Sequence, residues 1–228
     1  MNNKKSEKII PAIMPNDLQE IALSCDKVGD KVSWVQIDIM DKQFVDSVSW
    51  PYQDQIFSLK EAEELGKLIS EYSELSFEVD LMVTNPETIA PVFANAGAKR
   101  IIFHHKSLNS PLAIQRFEEF HDDIEIGIAL HVDDDLSVID QYLPMVSTVQ
   151  CMGIENVGHQ GQKFSEKVLD MIAHIKNHHP DMEIQVDGGV SEETIKSLAE
   201  AGAERFVSGS AVFSGDVEKN IKKLESLI

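Results

Sequence analysis

Polar side chains stand at the ends of apolar stretches, where they could take part in chemistry. In WVQIDIMD, residues 34–41, Gln36 and Asp38 are two positions apart and therefore lie on one face of a strand. Such a polar face either meets solvent or lines the mouth of a site. Asp187 ends the apolar stretch EIQVD and is followed by two glycines. We interpret Asp187 as a functional residue; the alternative is an aspartate that caps the next helix.

Glycine-rich turns follow two of the last apolar stretches. The sequence reads DGG at 187–189 and SGS at 208–210. Turns of this kind present backbone N–H groups to a phosphate, and helix dipoles add to the attraction. We therefore predict a phosphate site, and the alternative is a pair of ordinary tight turns. The predicted phosphate-binding residues are Gly188, Gly189, Gly209 and Ser210.

Eight apolar stretches alternate with amphipathic ones along the chain. The amphipathic stretches have helical periodicity, and Gly97 and Gly202 stand where helix ends are expected. Near-continuous apolar strands with helices between them indicate a parallel sheet covered by helices, and eight such units close a barrel. The predicted strands are residues 8–14, 34–41, 75–83, 100–105, 125–132, 148–154, 183–189 and 205–213.

The sequence therefore predicts an α/β fold, a single (β/α)8 TIM barrel domain that comprises residues 1–228. The alternative is a doubly wound open sheet. In a barrel of this kind the chemistry takes place at the carboxyl ends of the strands, where the loops form one mouth. His104, His131 and His159 follow strands four, five and six, so they could converge at this mouth; the alternative is that they lie in solvated loops.

The composition argues against several classes of protein. A formal net charge of −19 without a basic cluster disfavours nucleic-acid binding. No segment approaches the ~18 apolar residues of a membrane span, and no signal peptide is recognisable, so we expect a cytoplasmic protein that binds no membrane. Cys25 and Cys151 are too few for a disulfide framework and match no metal spacing. An anionic substrate would have to be held by backbone dipoles, since the overall field is negative.

Several motifs together resemble one enzyme family. PAIMPNDL, WVQIDIMDKQFV, DLMVTNPE, QKF, VDGGV and AGAERFVSGSAVF occur in the order and at the spacings of ribulose-phosphate 3-epimerases, over nearly the whole chain. The resemblance implies a (β/α)8 barrel that inverts carbon 3 of a ketopentose phosphate. It also implies that two aspartates act as acid and base on opposite faces of the substrate, while a divalent metal holds the enediolate oxygens. Asp38 and Asp187 match that catalytic pair.

The chain departs from the family pattern at the metal ligands. The resemblance places these ligands at Gln36, Asp38, Asp80 and Asp187, and the family has histidines at positions 36 and 80. An amide oxygen and three carboxylates suit a hard ion, so Mg²⁺ or Mn²⁺ is favoured over Zn²⁺ or Fe²⁺. A metal-independent site is the alternative.

Other departures surround the predicted mouth. Ala12 replaces a serine, and the loop after strand six reads ENVGHQGQ instead of NPGFGGQ. Lys42 and Lys106 stand beside the altered positions and are candidates to neutralise an enolate in place of a metal. The resemblance assigns substrate contacts to Met40, Met82, Gly158 and Gly161, although the methionines could instead pack inside the barrel.

The first functional hypothesis is an isomerase. It is a ketose-phosphate 3-epimerase that interconverts ribulose 5-phosphate and xylulose 5-phosphate, or a related sugar phosphate, by two-base proton transfer through an enediolate. A second hypothesis keeps the barrel and the phosphate site but changes the reaction to another isomerase or a lyase chemistry. A third is a catalytically silent protein that binds a sugar phosphate. As partners we expect this small molecule and further copies of the chain in a homo-oligomer, but no nucleic acid and no membrane.

Overall fold

The computed structural model describes residues 5–159 and 161–228, and its centre is a closed barrel of eight parallel strands. The strands in chain order are β1 (Ile9–Ile13), β2 (Trp34–Met40), β3 (Ser76–Met82), β4 (Arg100–His104), β5 (Glu125–Leu130), β6 (Thr148–Met152), β7 (Glu183–Asp187) and β8 (Arg205–Ser208). Each strand pairs with its neighbours along the chain. The barrel closes where β8 pairs with β1, with Phe206 opposite Ile9.

Helices connect the strands on the outside of the barrel. They are α1 (Leu18–Val28), α2 (Leu59–Glu71), α3 (Ala90–Asn95), α4 (Leu112–Phe120), α5 (Lys167–His178), α6 (Ile195–Ala201), α7 (Ser210–Phe213) and α8 (Val217–Glu225). Short 3-10 helices lie at Pro86–Thr88, His105–Ser107 and Leu136–Gln141, and the last of these connects β5 to β6. Within the described ranges, every helix is too short or too polar to cross a membrane.

The predicted (β/α)8 barrel is confirmed, and the open-sheet alternative is wrong because β1 pairs with β8. All eight predicted strands are present, but the predicted eighth strand, residues 205–213, is too long. β8 ends at Ser208, because the backbone of Gly209 (φ −88°, ψ −76°) has helical geometry and leads into α7. Gly202 ends α6 as expected, with φ 118°. Residues 1–4 and 160 of the predicted domain lie outside the described residues.

Side chains alternate between two environments along each strand. On β2, Val35, Ile37 and Ile39 face the helices and are fully buried in the apolar core. Gln36 and Asp38 lie on the opposite face, inside the barrel, because successive residues of a strand point to opposite sides. This alternation separates the apolar shell from the barrel interior, which contains both polar side chains and two small apolar clusters, one around Ile10 and one around Ile102.

Ion pairs fill the amino-terminal half of the barrel interior. Arg100 on β4 contacts Glu78 on β3 (3.4 Å), Glu183 (2.9 Å) and Glu125 (2.5 Å). Arg205 on β8 contacts the same Glu78 oxygen at 3.1 Å. Glu78 is fully buried, so the two guanidinium groups are what compensates its charge.

We predict that Glu78→Leu lowers the free energy of unfolding by about 3–5 kcal/mol, because it leaves two buried guanidinium groups without their shared partner. The matched control is Glu125→Ala. The Glu125 side chain is 49% exposed and Arg100 keeps its other partners, so this change should cost less than about 1 kcal/mol. Urea denaturation of both variants measures the difference. Equal losses would contradict the assignment of Glu78 as the essential buried partner.

Candidate active site at the carboxyl end of the barrel

Three aspartate carboxyl groups meet inside the barrel near the carboxyl ends of the strands. Asp38 on β2 lies opposite Asp80 on β3 in the strand register, and Asp187 ends β7. One carboxylate oxygen of each lies within 4.8 Å of the other two. Asp38 and Asp80 are buried, and Asp187 is partly buried. Like charges this close repel one another strongly away from bulk water, so the cluster favours bound protons or a bound cation.

Burial and mutual repulsion raise the pKa of two of these carboxyl groups. Burial is the main cause for Asp38, followed by the charges of Asp187 and Asp80, and its pKa lies well above the usual range. Burial and then the charge of Asp80 raise the pKa of Asp187 to about 7. A hydrogen bond from Gln36 acts in the opposite direction on both groups, because it stabilises the ionised form. Near neutral pH the cluster can therefore both hold and accept a proton.

Two glutamine amides donate hydrogen bonds to the carboxylates. Gln36 Nε2 donates to Asp38 Oδ1 (2.8 Å) and to Asp187 Oδ2 (3.2 Å). Gln150 Nε2, on β6, donates to Asp80 Oδ2 at 2.9 Å. The other Asp80 oxygen lies 3.0 Å from Nε2 of His104. Each carboxylate of the cluster is therefore held by at least one side-chain hydrogen bond.

The three aspartates have the chemistry of a site for a hard divalent cation. Carboxylate oxygens are the ligands that Mg²⁺ and Mn²⁺ prefer, and Asp38, Asp80 and Asp187 offer three of them close together. Gln36, which the sequence predicts as a fourth ligand, does not offer its oxygen. Its Oε1 accepts a hydrogen bond from Gln185 Nε2 (3.3 Å), so the amide N–H faces the carboxylates. The three carboxylates are therefore the oxygens that converge in this arrangement, and Gln36 as a fourth ligand stays a prediction.

A cavity of about 490 Å³ opens beside the carboxylates at the mouth of the barrel. Among the predicted site residues, those that line it are Asp38, Asp187, Gly188, Gly189, Gly209, Ser210, Met82, Gly158 and Gly161. Met40, predicted as a substrate contact, is not among the lining residues: its side chain is buried, with 1% of the residue exposed. The structure therefore brings the predicted catalytic and phosphate-binding residues to one cavity.

The turn after β7 can be built only from glycine. Gly188 and Gly189 have φ values of +91° and +70°, which side-chain-bearing residues rarely adopt. A Cβ atom on Gly188 would lie 2.7 Å from Ile154, and one on Gly189 would lie 2.9 Å from the ring of Phe164. Ile154 and Phe164 thus pack directly against the turn, and both glycines line the cavity.

Three histidines lie around one cavity, although His159 is also exposed, as the solvated-loop alternative expects. His104, His131 and His159 line a second cavity of about 480 Å³, together with Lys106. His159 lines both cavities, so the two adjoin at that side chain. His159 Nδ1 lies 3.0 Å from Ser47 Oγ, which connects the loop after β6 to the loop after β2.

The two lysines considered for enolate neutralisation both have carboxylate partners. Lys42 Nζ lies 3.6 Å from the exposed Asp54. Lys106 forms a close ion pair with Asp134, whose side chain is buried. Neither lysine lines the cavity that contains Asp38 and Asp187.

Sequence reasoning did not identify two polar residues of this site, Gln150 and Gln185. Both are fully buried, and each stands between two apolar neighbours on its strand. Gln185 precedes Asp187 by two positions and therefore shares its inward face. A polar residue at every second position of an apolar strand is the signal that could have identified them.

Comparisons with known proteins identify relatives in sequence. The family model for the ribulose-phosphate 3 epimerase family matches residues 8–213. A ribulose-phosphate 3-epimerase from Eremothecium gossypii is 29% identical over 215 residues, which are 93% of this chain and 89% of that protein. One from Candida glabrata is 30% identical over 213 residues, 90% of this chain and 85% of that protein.

Solved structures with the same fold are more distant in sequence. KGPDC from Streptococcus mutans superposes with a TM-score of 0.73 at 16% identity, over 97% of this chain and 96% of that one. A 3-keto-L-gulonate-6-phosphate decarboxylase from Vibrio cholerae gives a TM-score of 0.74 at 12% identity, over 98% and 97% of the two chains. At these identities the likeness concerns the barrel fold alone.

We predict that Asp187→Asn raises the melting temperature of the metal-free protein at pH 8 and has little effect at pH 4. The folded-state pKa of Asp187 is about 7 and the unfolded value is about 3.9. The carboxyl group therefore does not lower the free energy of unfolding below the unfolded pKa. Its destabilising effect grows with pH and is complete above the folded pKa.

Thermal unfolding in a chelator at pH 4, 6 and 8 checks this prediction. Asp54→Asn is the control, because the Asp54 side chain is 87% exposed and should show no such trend. A difference between Asp187→Asn and wild type that stays constant across this pH range would contradict the raised pKa.

Proposed function

The chain belongs to the ribulose-phosphate 3-epimerase family, and on that premise we propose that it inverts carbon 3 of a pentulose phosphate, interconverting ribulose 5-phosphate and xylulose 5-phosphate. One observation carries the proposal. Asp38 and Asp187 line the same cavity as the two glycine turns. Carboxyl groups transfer protons and glycine turns donate N–H groups to a phosphate, so one cavity contains both functions that the reaction needs.

Asp38 and Asp187 are the acid and the base of the proposed reaction. The ionised member removes the proton of carbon 3, and the electron pair of that C–H bond moves into the adjacent carbonyl group to give an enediolate. The protonated member then delivers its proton to the opposite face of carbon 3, and the carbonyl reforms. Two groups are needed because a single base would return the proton to the face it came from. β2 and β7 are separated by β1 and β8 in the barrel, so the two carboxyl groups enter the mouth from different positions around it.

The negative charge of the enediolate requires a compensating group. Asp38, Asp80 and Asp187 would hold a divalent cation, for which we favour Mg²⁺ or Mn²⁺, and this cation would neutralise the enediolate oxygens. The surrounding side chains keep the carboxylates in place. Gln36 donates hydrogen bonds to Asp38 and Asp187, and Gln150 donates one to Asp80.

The phosphate group of the substrate binds at the turns after β7 and β8, through Gly188, Gly189, Gly209 and Ser210. Among the described residues that line the cavity there is no lysine or arginine, so an anion there depends on backbone N–H donors. Ser208 Oγ donates to Val190 O (3.1 Å) and ties the two turns together. This arrangement lets a chain with a net charge of −19 bind a phosphate.

Lyase or Schiff-base chemistry has less support. A lysine nucleophile would have to reach the substrate, and Lys42 and Lys106 lie outside the cavity lining and are paired with Asp54 and Asp134. We retain as predictions that residues 1–228 form one domain, that the chain assembles as a homo-oligomer and that it acts in the cytoplasm.

We predict that Asp38→Asn and Asp187→Asn each reduce turnover of ribulose 5-phosphate by at least about 10²-fold, because each removes one partner of the proton transfer. Proton NMR in heavy water measures both epimerisation and exchange at carbon 3. Asp54→Asn is the surface control and should retain wild-type rates. Exchange at the wild-type rate in both active-site variants would refute the assignment of the pair.

We predict that Mg²⁺ or Mn²⁺ restores activity to chelator-stripped protein more effectively than Zn²⁺, because the ligand set consists of carboxylate oxygens. The same ions should raise the melting temperature, since ligand binding stabilises the folded state. Asp80→Asn should weaken this thermal shift and Asp54→Asn should not. Restoration by Zn²⁺ alone would contradict the proposed ligand set.

A further inference from the structure

Buried amides connect the ion pairs at the bottom of the barrel to the carboxylates at the top. Arg205 Nε donates to Gln185 Oε1 at 2.8 Å. Gln185 Nε2 faces the oxygens of the two other glutamines, Gln36 Oε1 at 3.3 Å and Gln150 Oε1 at 2.8 Å. Gln36, Gln150 and Gln185 are all fully buried. We call this connected set the amide relay.

The hydrogen bonds of the amide relay are all donated in one direction, from Arg205 towards the aspartates, and Arg205 sets this direction. A guanidinium group can only donate hydrogen bonds, so the side of Gln185 that faces Arg205 must be its oxygen. The nitrogen of Gln185, with two N–H groups, then faces Gln36 and Gln150 and favours the orientation in which their oxygens turn towards it. Glu78 Oε1, which can only accept when ionised, lies 2.8 Å from the same Gln185 nitrogen and favours the same orientation.

The orientation of Gln36 and Gln150 determines whether the carboxylates face amide N–H groups or amide oxygens. With their oxygens directed at Gln185, both glutamines present N–H groups to the aspartates. If Gln36 were reversed, its oxygen would face Asp38 and Asp187, and both hydrogen bonds would be replaced by repulsion between acceptors. Gln185, which contacts neither carboxylate, therefore favours the orientation of Gln36 in which the amide N–H groups meet both of them.

We propose that Gln185 is a positioning residue for the epimerase reaction, which acts through Gln36 on Asp38 and Asp187 and through Gln150 on Asp80. This inference rests on the proposed function, since it assigns Gln185 to the same proton transfer. Displacement of a reacting group by about 1 Å costs on the order of 10²-fold in rate, so loss of the relay acts on kcat. Substrate binding at the glycine turns does not involve the relay, and KM is left nearly unchanged.

Two variants of Gln185 test the proposal. Gln185→Glu keeps the shape and the oxygen that accepts from Arg205, but it removes the N–H donors to Gln36 and Gln150. Gln185→Met removes the donors and the acceptor while it keeps an unbranched chain of similar length. The matched control is Thr148→Val, in which the fully buried Thr148 loses its part-buried hydrogen bond to Glu183 (2.8 Å), inside the same barrel but outside the relay.

The measurements are kcat and KM for ribulose 5-phosphate, circular dichroism and melting temperature to establish the folded fraction, and side-chain amide NMR signals of Gln36. We expect both Gln185 variants to lose about 10- to 100-fold in kcat with KM within about threefold of wild type, and to shift the Gln36 amide signals. Thr148→Val should retain kcat even where its melting temperature falls.

Each result supports or overturns the proposal. If folded Gln185→Glu or Gln185→Met keeps kcat within about threefold of wild type while Asp38→Asn is inactive, the positioning role is wrong and the proposed function stands. If Thr148→Val loses as much kcat as the Gln185 variants, the loss is a general effect of the barrel interior and the positioning role is again wrong. If the wild-type protein does not exchange the proton at carbon 3, the proposed function fails and the role of Gln185 in it fails too.

Discussion

Compensation of buried charge inside the barrel is the constraint on which the rest of the structure depends. Barrel interiors are usually filled by branched apolar side chains, which need no partners. In this chain Arg100 and Arg205 lie inside the barrel instead, against the fully buried Glu78 and over the ring of Trp34, at 5.1 and 4.6 Å from its centroid. Each polar group in the interior then requires a partner in the layer above it, and this requirement extends to the carboxylates at the mouth.

The departures from the family pattern are coupled to one another. The resemblance places histidines at positions 36 and 80, where this chain has Gln36 and Asp80. The Gln36 oxygen accepts a hydrogen bond from Gln185. The Asp80 oxygens have hydrogen-bond partners in Gln150 and His104. Each replacement would leave a buried polar group without a partner if it stood alone, which costs about 1–3 kcal/mol per group. Both replaced side chains therefore have buried partners, and Gln185 and Gln150 connect the two positions through hydrogen bonds.

Much of the fold and of the site could be predicted from the sequence, because strand periodicity and glycine turns are local signals. The family resemblance grouped Asp38, Asp80 and Asp187 as ligands, in agreement with the rule that the ends of barrel strands meet at one mouth. The orientation of Gln36 could not be predicted, since the two ends of an amide are alike in size and two of the contacts that distinguish them, with Asp187 and Gln185, are 151 and 149 positions away. The end of β8 was missed because the apolar residues of α7 continue the pattern of a strand.

The central claim is that two carboxyl groups on opposite sides of carbon 3 carry out the inversion. The most direct test follows the wild-type reaction with ribulose 5-phosphate in heavy water and measures deuterium at carbon 3 of both epimers at early times. With two separate proton carriers, the xylulose 5-phosphate formed contains one solvent deuterium at carbon 3, while the remaining ribulose 5-phosphate keeps its proton. A product that keeps the substrate proton, or deuterium that enters both epimers equally from the start, would contradict the two-base account.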